Sequence, residues 1–258
     1  MVASASITAM VVNIIICIGM PLGFLSYLLY KRQKPLIPLF VGAAVYVVFQ
    51  LVLYLTFMGI IASMEWYKNM EGSTWLLGLF GAIVSGLFTE VGRFAGFKLL
   101  LKERRLFSDG VSLGVGYAGA EAIFVGGLSY VGSLSLANMI NSGQTDQIAS
   151  MSSPELANEA VKNLTAAQPF DIYLGGLDHI FIFIIHIALS VLILLGIRQQ
   201  KLAYLGIAVL AHLLIDGVPE ALAFSNLVVI IYLGVLAAIS IVFTLRMRKP
   251  LAPEQKEE

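Results

Sequence analysis

Seven apolar stretches, each about twenty residues or longer, constrain this chain more than anything else in it. A bilayer core of about 30 Å is crossed by about 20 helical residues. In lipid only helices and closed barrels satisfy every backbone polar group. The stretches lie near 5–30, 36–63, 74–101, 110–136, 171–197, 202–222 and 224–246. They predict an all-α fold, a polytopic bundle of seven transmembrane helices, and hence an integral membrane protein. Only 12% of the residues are charged, against about 25% in soluble domains. The formal net charge is zero, so no basic surface points to nucleic acid. The N-terminus carries no positive run and no obvious cleavage site, so the first stretch is expected to stay as a helix. The sole cysteine, Cys17, excludes a disulfide within one chain.

Lysine and arginine set the expected orientation. Lys31, Arg32 and Lys34 separate the first two stretches. Lys98, Lys102, Arg104 and Arg105 close the third, Arg198 and Lys201 the fifth, and Arg246, Arg248, Lys249 and Lys256 the seventh. All fall on one side of a seven-span bundle, which leaves only Lys68 and Lys162 opposite and Arg93 within the membrane. The expectation is an outside N-terminus and a cytoplasmic C-terminus. It gives one transmembrane domain over 1–249, with an outer loop at about 137–170 and a disordered cytoplasmic tail over 250–258. In the loop, Ser153-Pro154-Glu155 signals a helix start. Leu156, Ala160, Val161 and Leu164 follow at roughly helical spacing, so this helix either lies on the membrane surface or packs over the bundle. Pro219 and Phe224-Ser225-Asn226 are expected to hold the tight turn between the last two spans.

Ionisable side chains deep in the spans are few. They are Glu90 and Arg93 on the third, Glu121 on the fourth, His179 and His186 on the fifth, and His212 and Asp216 on the sixth, with Asp178 nearer the outer end of the fifth. An aspartate at a helix centre costs roughly 2.5–3.5 kcal/mol on insertion scales, so such groups default to functional candidates. His212 and Asp216, four apart, share one helix face. Glu90, Glu121, His186 and His212 each lie about ten or eleven residues from the cytoplasmic end of their span, or about 16 Å at 1.5 Å per residue. Each has a structural reading alone. A histidine can bond within the bundle, Glu90 and Arg93 can neutralise one another, and Tyr117 can bond Glu121 from one turn away. Four polar groups on four helices at one depth need a shared reason, and a polar chamber supplies it. Glycines at 114, 116, 119, 126, 127 and 132 predict a closely packed, central fourth helix. Histidines and carboxylates bind zinc or polarise water. A desolvated glutamate can act as a general base, and imidazoles can donate to an oxyanion. No His-Glu-x-x-His, Gly-x-Ser-x-Gly or paired intramembrane aspartate motif is present.

Taken in order, four motifs resemble those of a superfamily of intramembrane proteases. It includes the CAAX prenyl endopeptidases with the bacteriocin-processing enzymes, the PrsW proteases, the YhfC family and the seven-helix scaffold subunit of γ-secretase. The motifs are Phe88-Thr89-Glu90-Val91-Gly92-Arg93, Gly116-Tyr117-Ala118-Gly119-Ala120-Glu121, His186-Ile187-Ala188-Leu189-Ser190 and His212-Leu213-Leu214-Ile215-Asp216. YhfC is the nearest resemblance. It implies an intramembrane endopeptidase acting on membrane-associated polypeptides. Glu90 would activate water with Arg93 beside it. Glu121, His186, His212 and Asp216 would hold a metal ion, zinc by implication, or stabilise the oxyanion. Two departures stand out. Thr89 replaces the first of two adjacent glutamates found in active members, and Tyr117 stands where YhfC relatives tend to carry a histidine. The γ-secretase subunit also has a single glutamate, which keeps a catalytically inactive membrane scaffold with a membrane-protein partner as the alternative. A small transporter or proton relay would use the same groups, but no inverted repeat supports it. The expected location is a bacterial plasma membrane.

Overall fold

The computed structural model describes residues 1–30, 35–70, 72–144, 147–148, 153–222 and 224–252. Lys31, Arg32, Lys34 and Lys256, which contribute to the expected orientation, lie outside the described residues, as does the tail from 253. Among the described residues the regular structure is entirely helical. Six helices are long and apolar enough to cross a membrane: α1 (Ser4–Tyr30), α2 (Leu36–Ala62), α3 (Trp75–Leu100), α4 (Phe107–Asn141), α6 (Pro169–Arg198) and α8 (Asn226–Arg246). A shorter apolar helix, α7 (Ala203–Ala221), falls where the sixth span is expected. The remaining helix, α5 (Pro154–Ala166), lies in the long loop. These helices coincide with the seven apolar stretches to within a turn or so.

Apolar runs make the helices, and the close contacts between them come from small residues. A Cβ added at Gly116 would lie 1.8 Å from the carbonyl oxygen of Leu39, and one at Gly42 would lie 2.1 Å from that of Leu113. The backbones of α2 and α4 therefore touch, which only glycine permits. Through its first half, from Gly110 to Ala120, α4 is buried throughout. It lies between α2 and α6, while α6 also packs against α1, α7 and α8, and α3 packs against α7. Helices α2, α3, α7, α6 and α4 thus form a ring, and α1 and α8 lie outside it. At about 1.5 Å per residue α4 exceeds the membrane core. Its last turns, with Ala137 and Ile140, join Val2, Met10 and Ala157 in a small apolar cluster. Helix α5 packs over the bundle there, with Ser153 Oγ accepting from Leu156 N as its N-cap.

Two expectations change. Pro219 lies inside α7, and the chain turns only after it, with Phe224 N donating to the Pro219 carbonyl at 3.1 Å. Proline is tolerated there because the helix ends within one turn. The described part of the expected tail is ordered. Leu251 is fully buried beside Phe97, Leu101 and Leu194, and Phe107 N donates to its carbonyl at 3.0 Å. A leucine beside the bundle gains more from burial than the short strap loses in entropy.

Candidate active site

Four helices of the ring place acids, imidazoles and one guanidinium in a single buried cluster. On α3, Glu90 and Arg93 lie three residues apart on one face, and both are fully buried. Arg93 Nη1 donates to Glu90 Oε1. The same oxygen lies 3.1 Å from His212 Nδ1 of α7. His212 reaches it because α3 is thin there: a Cβ at Gly86 would sit 3.2 Å from the Cβ of His212. On its far side, His212 Nε2 lies 3.1 Å from Asp216 Oδ2, one turn along α7. The second imidazole comes from α6. Arg93 Nη2 bonds His186 Nδ1. A guanidinium can only donate, so Nδ1 accepts and the ring proton sits on Nε2. That nitrogen lies 2.6 Å from Glu121 Oε2 of α4. The two imidazole centroids are 5.5 Å apart.

Glu90, Glu121, His186, His212, Asp216 and Arg93 are therefore one connected network. Arg93 does not reach for solvent; it lies between Glu90 and His186, with its guanidinium carbon 4.2 Å from the centre of the Tyr117 ring. His179 stands apart: a Cβ at Gly126 would touch both its Nε2 and Cys17 Sγ. Tyr117 differs from expectation. Its hydroxyl is 2.8 Å from Thr89 Oγ1 rather than on Glu121. Gln50 of α2 completes this arm, with Nε2 donating to Thr89 Oγ1 and, at 3.0 Å, to the Ser85 carbonyl. The sequence reading missed Gln50. Its signal is a lone amide in an otherwise apolar span, weaker than a charge and easily read as a packing residue. Wide π-type turns at Val47–Tyr54 and Ala122–Gly127 lie beside Gln50 and Glu121. Such bulges recur at functional sites because they re-aim side chains within an otherwise regular helix.

Most of the cluster is sealed, although the Asp216 side chain is 40% exposed and that of Glu121 26%. Glu90 Oε2 is buried without a hydrogen-bond partner. An unpartnered buried carboxylate oxygen is costly and marks a place for a water or an ion. Two imidazoles flanked by carboxylates are the donor types that zinc takes. In the present arrangement these donors are paired with one another. Among the described residues, no three histidine, cysteine or carboxylate groups already surround one point. The donor set fits a metal in kind, with ion pairs to be exchanged for ligand bonds.

The fold and the cluster define a class: a polytopic membrane protein with a sealed acid–imidazole centre inside its helical ring. The chain belongs to the YhfC intramembrane metalloprotease family, whose description matches residues 14–244. It is 26% identical over 257 residues to Bacillus subtilis (strain 168) "Uncharacterized membrane protein YhfC", a match covering 96% of this chain and 99% of that protein.

Proposed function

We propose that this protein is an endopeptidase that hydrolyses peptide bonds of membrane-associated polypeptides, with Glu90 as general base. The observation that carries this reading is the asymmetry of Glu90. One oxygen is held by Arg93 and His212, while the other is buried and unpartnered. A carboxylate fixed in this way suits a single bound water. Glu90 takes a proton from that water as its oxygen bonds to the peptide carbonyl carbon. The carbonyl oxygen gains the negative charge, and donors from the His212, His186 and Arg93 group meet it. The proton on Glu90 then passes to the amide nitrogen as the C–N bond breaks, leaving an acid and an amine. His186 and His212, with Asp216 and Glu121, would hold zinc. Bound there, the ion would polarise the carbonyl and acidify water.

The test compares membranes holding wild type with membranes holding Glu90→Gln, by sequencing newly formed protein N-termini. Termini that need Glu90 are expected. Equal cleavage by wild type and by the Glu90→Gln and Glu90→Ala variants, in cells and with purified protein, removes Glu90 from the mechanism. One observation favours a scaffold as the second reading. Thr89, in place of a glutamate, is tied into Gln50 and Tyr117, so this arm of the cluster serves helix packing. On that reading His186→Ala and His212→Ala lower thermal stability and partner recovery, and no Glu90-dependent termini form.

A further inference from the structure

A cleft opens between α2 and the α3–α7 pair. It has a volume of about 340 Å³ and is lined by Tyr54, Gly78, Gly81, Ala82, Ser85 and Asp216. We propose that this cleft is the substrate channel, and that its occupant is a locally unwound, extended polypeptide segment rather than an intact helix or a lipid chain. The proposal rests on the protease reading above and names how its substrate arrives.

Position comes first. Asp216 lines the cleft and lies 3.1 Å from His212, which in turn touches Glu90. The cleft therefore abuts the buried network through its most exposed acid. Gly78, Gly81, Ala82 and Ser85 fall at i, i+3, i+4 and i+7, one face of α3. The next residue along that face is Thr89, beside Glu90. Gln50 crosses from α2 to the Ser85 carbonyl and to Thr89, and so closes the gap at the deep end.

Size excludes a helix. A two-turn helix about 10–12 Å across and about 11 Å long displaces on the order of 1,000 Å³, several times the space available. A single extended strand is the polypeptide form that remains. Chemistry excludes an acyl chain. A tyrosine hydroxyl, a serine hydroxyl and a partly exposed carboxylate line the walls. Hydrocarbon would leave that carboxylate unsolvated at a cost lipid cannot offset. Backbone N–H groups, which an unwound segment in a membrane must satisfy, are the natural partners. A floor of glycine, alanine and serine lets a main chain approach closely.

Gly81 provides the test, because a Cβ built there meets no heavy atom within 4 Å. Larger side chains at 81 fill the cleft without touching the network. Gly206 on α7 is equally open but borders an apolar cleft with Leu87 and Val91, and serves as the control. The photo-crosslinker p-benzoylphenylalanine is placed at 81 or at 206 in full-length Glu90→Gln protein in native cell membranes, and the adducts are sequenced. Expected are polypeptide adducts at 81, mapping beside the Glu90-dependent cut sites, and lipid adducts at 206. Lipid adducts alone at both positions, or the same polypeptides at both, overturn the channel whatever the cleavage result. Polypeptide adducts specific to 81 without any Glu90-dependent termini retain the channel as a peptide site and overturn the protease reading instead. In parallel, Gly81→Leu should reduce cleavage at least about tenfold, mainly through KM, with unchanged thermal stability, while Gly81→Ala stays near wild type. Undiminished cleavage by Gly81→Leu also overturns the channel.

Discussion

At the scale of single residues, Arg93 holds the cluster together. It is permanently charged, fully buried, and shared between Glu90 and His186. Removing one partner of a buried pair strands the other, at about 3–5 kcal/mol. Arg93→Met should therefore lower stability by that order, measured by denaturant unfolding in bicelles, and adding Glu90→Gln to it should recover part of the loss. A metal prediction belongs at this scale too. On the proposed reading, zinc bound per protein, counted by plasma mass spectrometry, is near one for wild type and falls sharply in His186→Ala and His212→Ala. Glu90→Gln, which removes the base but none of the proposed ligands, keeps its zinc. The charged members of the cluster were legible in the sequence because an ionisable group in an apolar span is conspicuous. Gln50 and the Thr89–Tyr117 contact were not. Neutral polar residues occur in spans for many reasons, and only the meeting of α2, α3 and α4 gives them one.

At the scale of helices, glycine decides how near the site's walls can come. The α2–α4 contact leaves no room for a side chain at Gly116, whereas Gly132, on the same helix, faces open space. Gly116→Leu should push α4 off α2 and displace Glu121, with a large drop in melting temperature in detergent. Gly132→Ala should leave the melt within about 0.5 kcal/mol of wild type, as surface changes usually do. If both variants melt alike, close backbone packing does not set the position of α4. The glycines of the fourth span predict a tightly packed helix but not which ones touch. That depends on how far α4 is rotated against α2 and α6. The end of α7 teaches the same point: Pro219 reads as a turn residue in the sequence, yet it completes the last helical turn.

At the scale of the whole molecule, the five-helix ring carries the site, and the loop helix α5 and the 250–252 strap close over its margins. The charge bias predicts that cysteines at Lys68 and Lys162, introduced singly in a Cys17→Ser background, react with an impermeant thiol reagent from outside intact cells. Cysteines at Lys102 and Lys201 should react only after permeabilisation, and the opposite pattern would invert the bundle. By itself the sequence determined the helical class, the seven apolar segments and the depth of each buried acid and imidazole. Length, hydropathy and rise per residue are properties of one segment at a time. Only the tertiary structure decided that these groups meet, that Arg93 bridges Glu90 to His186, and that Asp216 faces a cleft. Those facts depend on how each helix is rotated about its own axis, and contacts with neighbouring helices set that rotation.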